Sequence, residues 1–256
     1  MSLSHARFGT GDPLVILHGL FGSKRNWAGV AARLAADRGV LVADLRNHGE
    51  SPWDEQHDYP AMAADVAGLI DREVGGPAAV LGHSMGGKVA MTLALMRPDL
   101  VERLVVVDIA PVRSSGTLID VLRAMRAVPL KNFSRRTEVE AALVEAIPDA
   151  AVRGFLMLNL VNGSEGLAWT VNLDALERHF DTILGFPEIP AGQTFDGPTL
   201  FVVGGRSEYV RPEHRAEIRR LFPGAGIEVL EGAGHWVHAD APGPFVETVR
   251  RFLAGG

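Results

Sequence analysis

"LGHSMGG", residues 81–87, overlaps the end of the apolar run "AAVLGH" (78–83) and leads into a helix pattern at 86–97. It carries a serine between two glycines in the order Gly82, His83, Ser84, Met85, Gly86. The spacing has a steric reason. A serine in a strained turn between strand and helix has its Oγ pushed out of the sheet. Glycines at 82 and 86 carry no Cβ, so neighbouring backbone can pass close to that turn. The N-terminus of the following helix offers unpaired N–H groups to a developing oxyanion. A glycine-rich turn without chemistry has the same composition, but the strand before and the helix after favour a nucleophile at Ser84.

Short apolar runs recur outward from this stretch: "PLVILH" (13–18), "VLVADL" (40–45), "RLVVVDI" (103–109), "TLFVVGG" (199–205) and "GIEVLEG" (226–232). Most are continuous rather than alternating, as strands buried on both faces of a parallel sheet are. Helix patterns at 26–37, 60–74, 212–221 and 242–254 separate them. Strand and helix in alternation predict an α/β fold with right-handed crossovers. One interval breaks the rhythm. After "VVVDIAPV" there are roughly eighty residues with no convincing strand, too many for a single crossover. "TLIDVLRAMRAV" (117–128) places Leu118, Val121, Leu122, Met125 and Val128 on one stripe. "TEVEAALVEAI" (137–147) opens on Thr137 and Glu140, spaced as a capping box, and "NLDALERHFDTI" (172–183) forms a third helix pattern. Residues 112–195 therefore read as a helical cap, with 1–111 and 196–256 as the core.

A serine hydroxyl is too weakly acidic to attack at neutral pH and needs a general base. His235, in "GAGHWVH" just past the last strand, has the position for it, with small residues Gly232, Ala233 and Gly234 leaving room on its N-terminal side. His238 is the weaker choice. "LHGLFGS" (17–23) ends the first clear strand, and its loop can lie beside the serine. The oxyanion hole is assigned to the backbone N–H groups of Leu20 and Met85. The side chains of Leu20 and Phe21 are expected to wall an acyl pocket. A histidine base needs an acidic partner to fix its tautomer. Asp108 closes the run "RLVVV" at the sheet edge where α/β sites are built, and Glu208 follows a later strand, so both are open. An aspartate ending a strand also caps turns, which is the structural alternative for Asp108.

The 256 residues suit one large domain with an inserted subdomain, and 47% hydrophobic residues permit a large core. A net charge of −6 argues against nucleic acid or an anionic membrane surface as partner. With no cysteine, disulfides, zinc–thiolate sites and a cysteine nucleophile are excluded together. No stretch reaches the length of a membrane-spanning helix and no signal peptide is apparent, so a cytoplasmic protein without membrane insertion is expected. No cofactor and no metal are expected. A monomer or small homo-oligomer fits equally.

"HGLFGS", "DLRNHGES" (44–51), "GHSMGGK", "VDIAPV", "GGRSEYV" (204–210) and "GAGHWVHAD", in this order and spacing, resemble the α/β-hydrolase superfamily, and within it the small bacterial esterases of the YbfF type. The likeness spans nearly the whole chain and weakens in the cap. It implies an α/β-hydrolase fold, a mostly parallel sheet flanked by helices with the cap inserted after the sixth strand. It also implies a serine carboxylesterase whose acyl-enzyme forms on Ser84, with acyl thioesters as a further substrate class. Where this fold usually carries its acid, the chain has Ser207. The resemblance instead places the acid after the earlier strand, at Asp108, with Ser207 completing the network. It gives Asp44, His48 and Ser51 a structural turn and no catalytic role. Hydrolysis or lysis of a carbon–carbon bond on the same fold, a cofactor-free haloperoxidase side activity and a non-catalytic ligand-binding protein are the competing readings.

Overall fold

The structure, a computed structural model, describes residues 1–114, 118–164 and 166–255. Among these, nine strands form: β1 (His5–Phe8), β2 (Pro13–Leu17), β3 (Gly39–Ala43), β4 (Ala78–His83), β5 (Val101–Val107), β6 (Leu160–Gly163), β7 (Gly166–Trp169), β8 (Thr199–Gly204) and β9 (Gly226–Leu230). Seven of them build one sheet in the order β1-β3-β2-β4-β5-β8-β9, parallel throughout except for β1. The six expected strands are β2, β3, β4, β5, β8 and β9. Their apolar continuity has a direct cause. Val15 and Leu17 join the core on one face, and Leu14 and Ile16 join it on the other.

The helices are α1 (Lys24–Leu34), α2 (Tyr59–Glu73), α3 (Met85–Met96), α4 (Leu118–Ala127), α5 (Arg136–Leu143), α6 (Ala150–Met157), α7 (Leu173–Arg178), α8 (Phe180–Leu184), α9 (Arg215–Leu221), α10 (Val237–Asp240) and α11 (Pro242–Leu253). α1 and α11 cover one face of the sheet through Trp27, Leu34, Phe245, Val249 and Leu253. Each large side chain fully buried this way contributes about 1.5–3 kcal/mol. α2, α3 and α9 cover the other face through Val66, Ile70, Val89, Leu93, Ile218 and Leu221. Local signals set the starts. Asp58 caps α2 by accepting the Ala61 N–H at 2.8 Å.

Between β5 and β8 lies the insertion, α4 to α8 with the β6–β7 hairpin. Four expectations change here. The insertion leaves from the fifth strand in chain order rather than the sixth, because the twelve residues before β2 hold one strand only. The hairpin occupies a stretch that reads as strandless, since two four-residue strands give too short an alternation to register. α5 begins at Arg136 rather than on a Thr137–Glu140 box: the Glu138 carboxylate accepts the Ser134 and Arg135 N–H groups, at 3.0 and 3.1 Å. The third pattern breaks at His179 into α7 and α8. On α4, Leu122 and Met125 are buried and Leu118 and Val121 half-buried, while Thr117 lies outside the described residues.

The insertion is fastened where it rejoins the core. The Tyr59 hydroxyl donates to the Ile183 carbonyl, at 2.5 Å, and Lys88 Nζ donates to those of Leu184 and Gly185, each at 2.7 Å. The Ser114 N–H, near its departure, donates to the same Leu184 carbonyl at 2.8 Å.

Candidate active site

The sheet order reverses between β2 and β4, and the crevice at such a point is where α/β folds place their sites. Leu17 pairs with Gly82, so the loop after β2 and the turn after β4 emerge side by side. Ser84 sits on that turn with φ 53° and ψ −120°, a conformation L-residues rarely adopt. The turn tolerates no Cβ around it. One on Gly82 would lie 2.1 Å from the Gly86 carbonyl oxygen, and one on Gly86 would lie 2.4 Å from that of His18. Both glycines of the motif are therefore steric requirements.

Three side chains from three strand ends form one line. The Ser84 hydroxyl meets His235 Nε2 at 3.1 Å, and His235 Nδ1 meets the Asp108 carboxylate at 2.7 Å. Asp108 is fully buried. Its second oxygen accepts the Gly204 N–H at 3.0 Å, and the oxygen facing His235 also accepts the Ser207 hydroxyl at 2.5 Å. Ser207 Oγ in turn accepts the Tyr209 N–H at 3.3 Å. Glu208 is exposed and takes no part. Ser207 thus stands in the loop after β8, as the sequence has it, and holds the carboxylate that comes from the end of β5.

Supporting residues invisible to motif reading surround this line. Tyr209 stacks on the His235 ring, 3.9 Å between centroids. His83 donates from Nε2 to the His235 carbonyl at 2.9 Å, which ties the base's loop to the elbow. It occupies the variable position of the serine motif, so nothing in the spacing marks it. His238 stacks on Trp27, 4.1 Å between centroids, and burial pushes its pKa down to about 4. Ser84 Oγ bonds to His235 rather than to His238, the weaker candidate for the base.

The loop after β2 carries Leu20 against the serine. A Cβ on Gly19 would come within 3.0 Å of His83 Nδ1 and 3.2 Å of Ser84 Cβ, so a larger residue here would have to push these side chains aside by a few tenths of an ångström. Among the described residues, no protein acceptor takes the N–H of Leu20 or Met85. Phe21 has φ 60° and is pinned from both sides. Its N–H donates to His48 Nε2 at 3.3 Å, and its carbonyl accepts Asn159 Nδ2, from the insertion, at 2.7 Å. His18 Nε2 accepts the Leu45 N–H at 3.0 Å. Burial pushes the pKa values of His18, His48 and His83 down, so they serve as neutral donors and acceptors. The "DLRNHGES" turn is built on Asp44. Its carboxylate accepts the N–H groups of Lys24 and Glu50, and Ser51 Oγ donates to its carbonyl.

Two cavities meet at Ser84. The smaller, about 30 Å³, lies over Met85 and Ile109 toward Lys88, Tyr59 and Ile183. The larger, about 510 Å³, runs past His235 between Trp27, Phe155 and Trp236. Leu20 lines both cavities, and Phe21 only the larger. Among the described residues, no three His, Asp or Glu side chains converge to hold a metal ion, and no helix is long and apolar enough to cross a membrane.

The model of the family described as alpha/beta hydrolase fold matches residues 12–242. The sn-1-specific diacylglycerol lipase ABHD11 of Mus musculus is 45% identical over 250 residues, spanning 94% of this chain and 80% of that protein. Esterase YbfF of Escherichia coli (strain K12) is 37% identical over 243 residues, 94% of this chain and 93% of that one. A solved structure, a marine microorganism esterase, superposes with a TM-score of 0.95 at 32% identity, covering 98% of this chain and 99% of that chain.

Proposed function

Because the chain belongs to the α/β-hydrolase fold family and is a serine esterase, we propose that Ser84, His235 and Asp108 carry its chemistry. Ser84 Oγ attacks the ester carbonyl carbon while His235 Nε2 takes the hydroxyl proton. The carbonyl oxygen becomes an oxyanion and receives hydrogen bonds from the N–H groups of Leu20 and Met85. The carbon–oxygen bond to the alcohol then breaks, and His235 returns the proton to the departing oxygen. The acyl group remains on Ser84. A water, deprotonated by His235, attacks the acyl carbon; the bond to Ser84 Oγ breaks, His235 returns the proton to that oxygen, and the acid leaves. Asp108 accepts from His235 Nδ1 throughout, which keeps Nε2 free as the base and stabilises the imidazolium. The insertion, residues 112–195, serves as the cap that roofs the site.

The observation that carries this reading is the unbroken line Ser84–His235–Asp108, with contacts of 3.1 and 2.7 Å. The partner is a small ester, and acyl thioesters undergo the same steps with a thiol leaving group. Among the described residues, no side chain favours carbon–carbon hydrolysis or pure ligand binding over ester hydrolysis. The test is Ser84→Ala with a panel of esters and a fluorophosphonate probe. Wild type should label and hydrolyse. The variant should stay folded, fail to label and lose at least about 10⁴ in kcat. Turnover within tenfold of wild type in the folded variant removes Ser84 from the mechanism.

A further inference from the structure

The two cavities at Ser84 differ about seventeenfold in volume, and the triad's geometry decides which part of an ester enters each. Four groups surround the carbon of the tetrahedral intermediate. One is Ser84 Oγ. A second, the oxyanion, points to Leu20 and Met85. A third, the departing oxygen, must lie within reach of His235 Nε2, because that nitrogen supplies its proton. The acyl carbon takes the direction that remains. His235, Trp236 and His238 line only the larger cavity, while Met85, Ile109 and Ile183 line only the smaller. The alcohol therefore leaves into the large cavity, and the acyl chain points into the small one.

Resting on the Ser84 esterase reading, we propose that this enzyme selects short acyl groups, of two to four carbons, esterified to large apolar alcohols. A volume of about 30 Å³ holds about two water-sized groups, enough for the carbons beyond a small acyl carbonyl and no more. Its floor is firm. Lys88 and Tyr59 hold the carbonyls of residues 183–185, which fixes Ile183 and Leu184 over it. The large cavity has the size of drug-sized ligand sites, and its walls include Trp27, Val121, Phe155, Leu156 and Trp236. Among the described residues no Lys or Arg lines it, so a neutral alcohol suits it better than a phosphorylated leaving group. Phe21, expected beside the acyl chain, belongs to the alcohol side.

Isomeric esters give the test, because they match in composition and differ only in orientation. Hexyl acetate and ethyl hexanoate are assayed with the purified full chain by titrating released acid. The expected result is a kcat/KM at least tenfold higher for hexyl acetate. Ile183→Ala, which widens the small cavity alone, should narrow that ratio at least fivefold; Ile183→Val should narrow it less. The wild-type ratio stands as a result even if Ile183→Ala does not fold. Equal or inverted rates that vanish in Ser84→Ala overturn the cavity assignment and leave the nucleophile intact. Rates that persist in Ser84→Ala overturn the esterase reading and this assignment with it.

Discussion

Replacing Asp108 by asparagine changes one buried oxygen into an NH₂ group and removes a charge. The two possible orientations of that amide both fail. With its oxygen toward Gly204, the 3.0 Å acceptor role survives, but the NH₂ group then faces His235 Nδ1 and Ser207 Oγ. It would donate to Nδ1 and drive the proton to Nε2, the atom that must stay free to take the serine's proton. With the amide flipped, the NH₂ group meets the Gly204 N–H, and a buried donor is left unpaired at about 1–3 kcal/mol. The wrong tautomer together with the lost charge should lower kcat by about 10³ to 10⁴, roughly 4 to 5 kcal/mol of barrier. Ser207→Ala removes one donor to a carboxylate that keeps two others, so about tenfold is expected. Glu208→Gln changes an exposed side chain outside the network and should stay within twofold. The three variants are compared on p-nitrophenyl acetate, with circular dichroism to verify folding. A crippled Glu208→Gln beside a near-normal Asp108→Asn would refute the assignment of the acid to the end of β5.

Other perturbations reach the scaffold around the triad. Asn159→Leu leaves the buried Phe21 carbonyl without its donor, so the melting temperature should fall by several degrees and kcat about tenfold; an unchanged kcat would detach the insertion from the loop after β2. Gly86→Ala puts a Cβ 2.4 Å from the His18 oxygen, so the Tm should drop by roughly 10 °C or more, and a normal melt would discount the steric argument. Burial pushes Lys88 down to about 7, against roughly 10.4 in an unfolded chain. Between those values the unfolded chain holds the extra proton, so this group makes stability rise with pH, by up to about 1.4 kcal/mol per unit. Urea midpoints at pH 7 and 9 should reveal that rise in wild type and its loss in Lys88→Met; equal pH dependence in both would contradict it.

The sheet could be read because β2, β3, β4, β5 and β8 bury most of their residues on both faces and so carry unbroken apolar runs, while the edge strand β9 is half-exposed and carries a weaker one. β1 could not, since "HARF" is paired on one edge only and is mostly half-exposed. The elbow could be read because steric exclusion leaves glycine alone at 82 and 86, and His235 because its place after the last strand is set by topology. The contacts that hold these residues were not legible. Asn159 lies 138 residues from the carbonyl it binds, and His83 lies 152 from its own. Neither spacing has a local period. The two cavities at Ser84 were hidden for the same reason, since each is walled by inserted and core residues that meet only in the fold.

Ser114 and Leu184 are bonded to each other where the cap leaves and rejoins the sheet, and the core grips three consecutive carbonyls at the point of return. A segment whose two ends already touch can be lengthened, shortened or exchanged with little added closure entropy, because the gap to be bridged does not change. The proposed catalytic line, meanwhile, is drawn entirely from strand ends outside that segment. Descendants of such a chain can therefore acquire new diets by rewriting the roof, so long as an anchor for the Phe21 carbonyl, here Asn159, is kept.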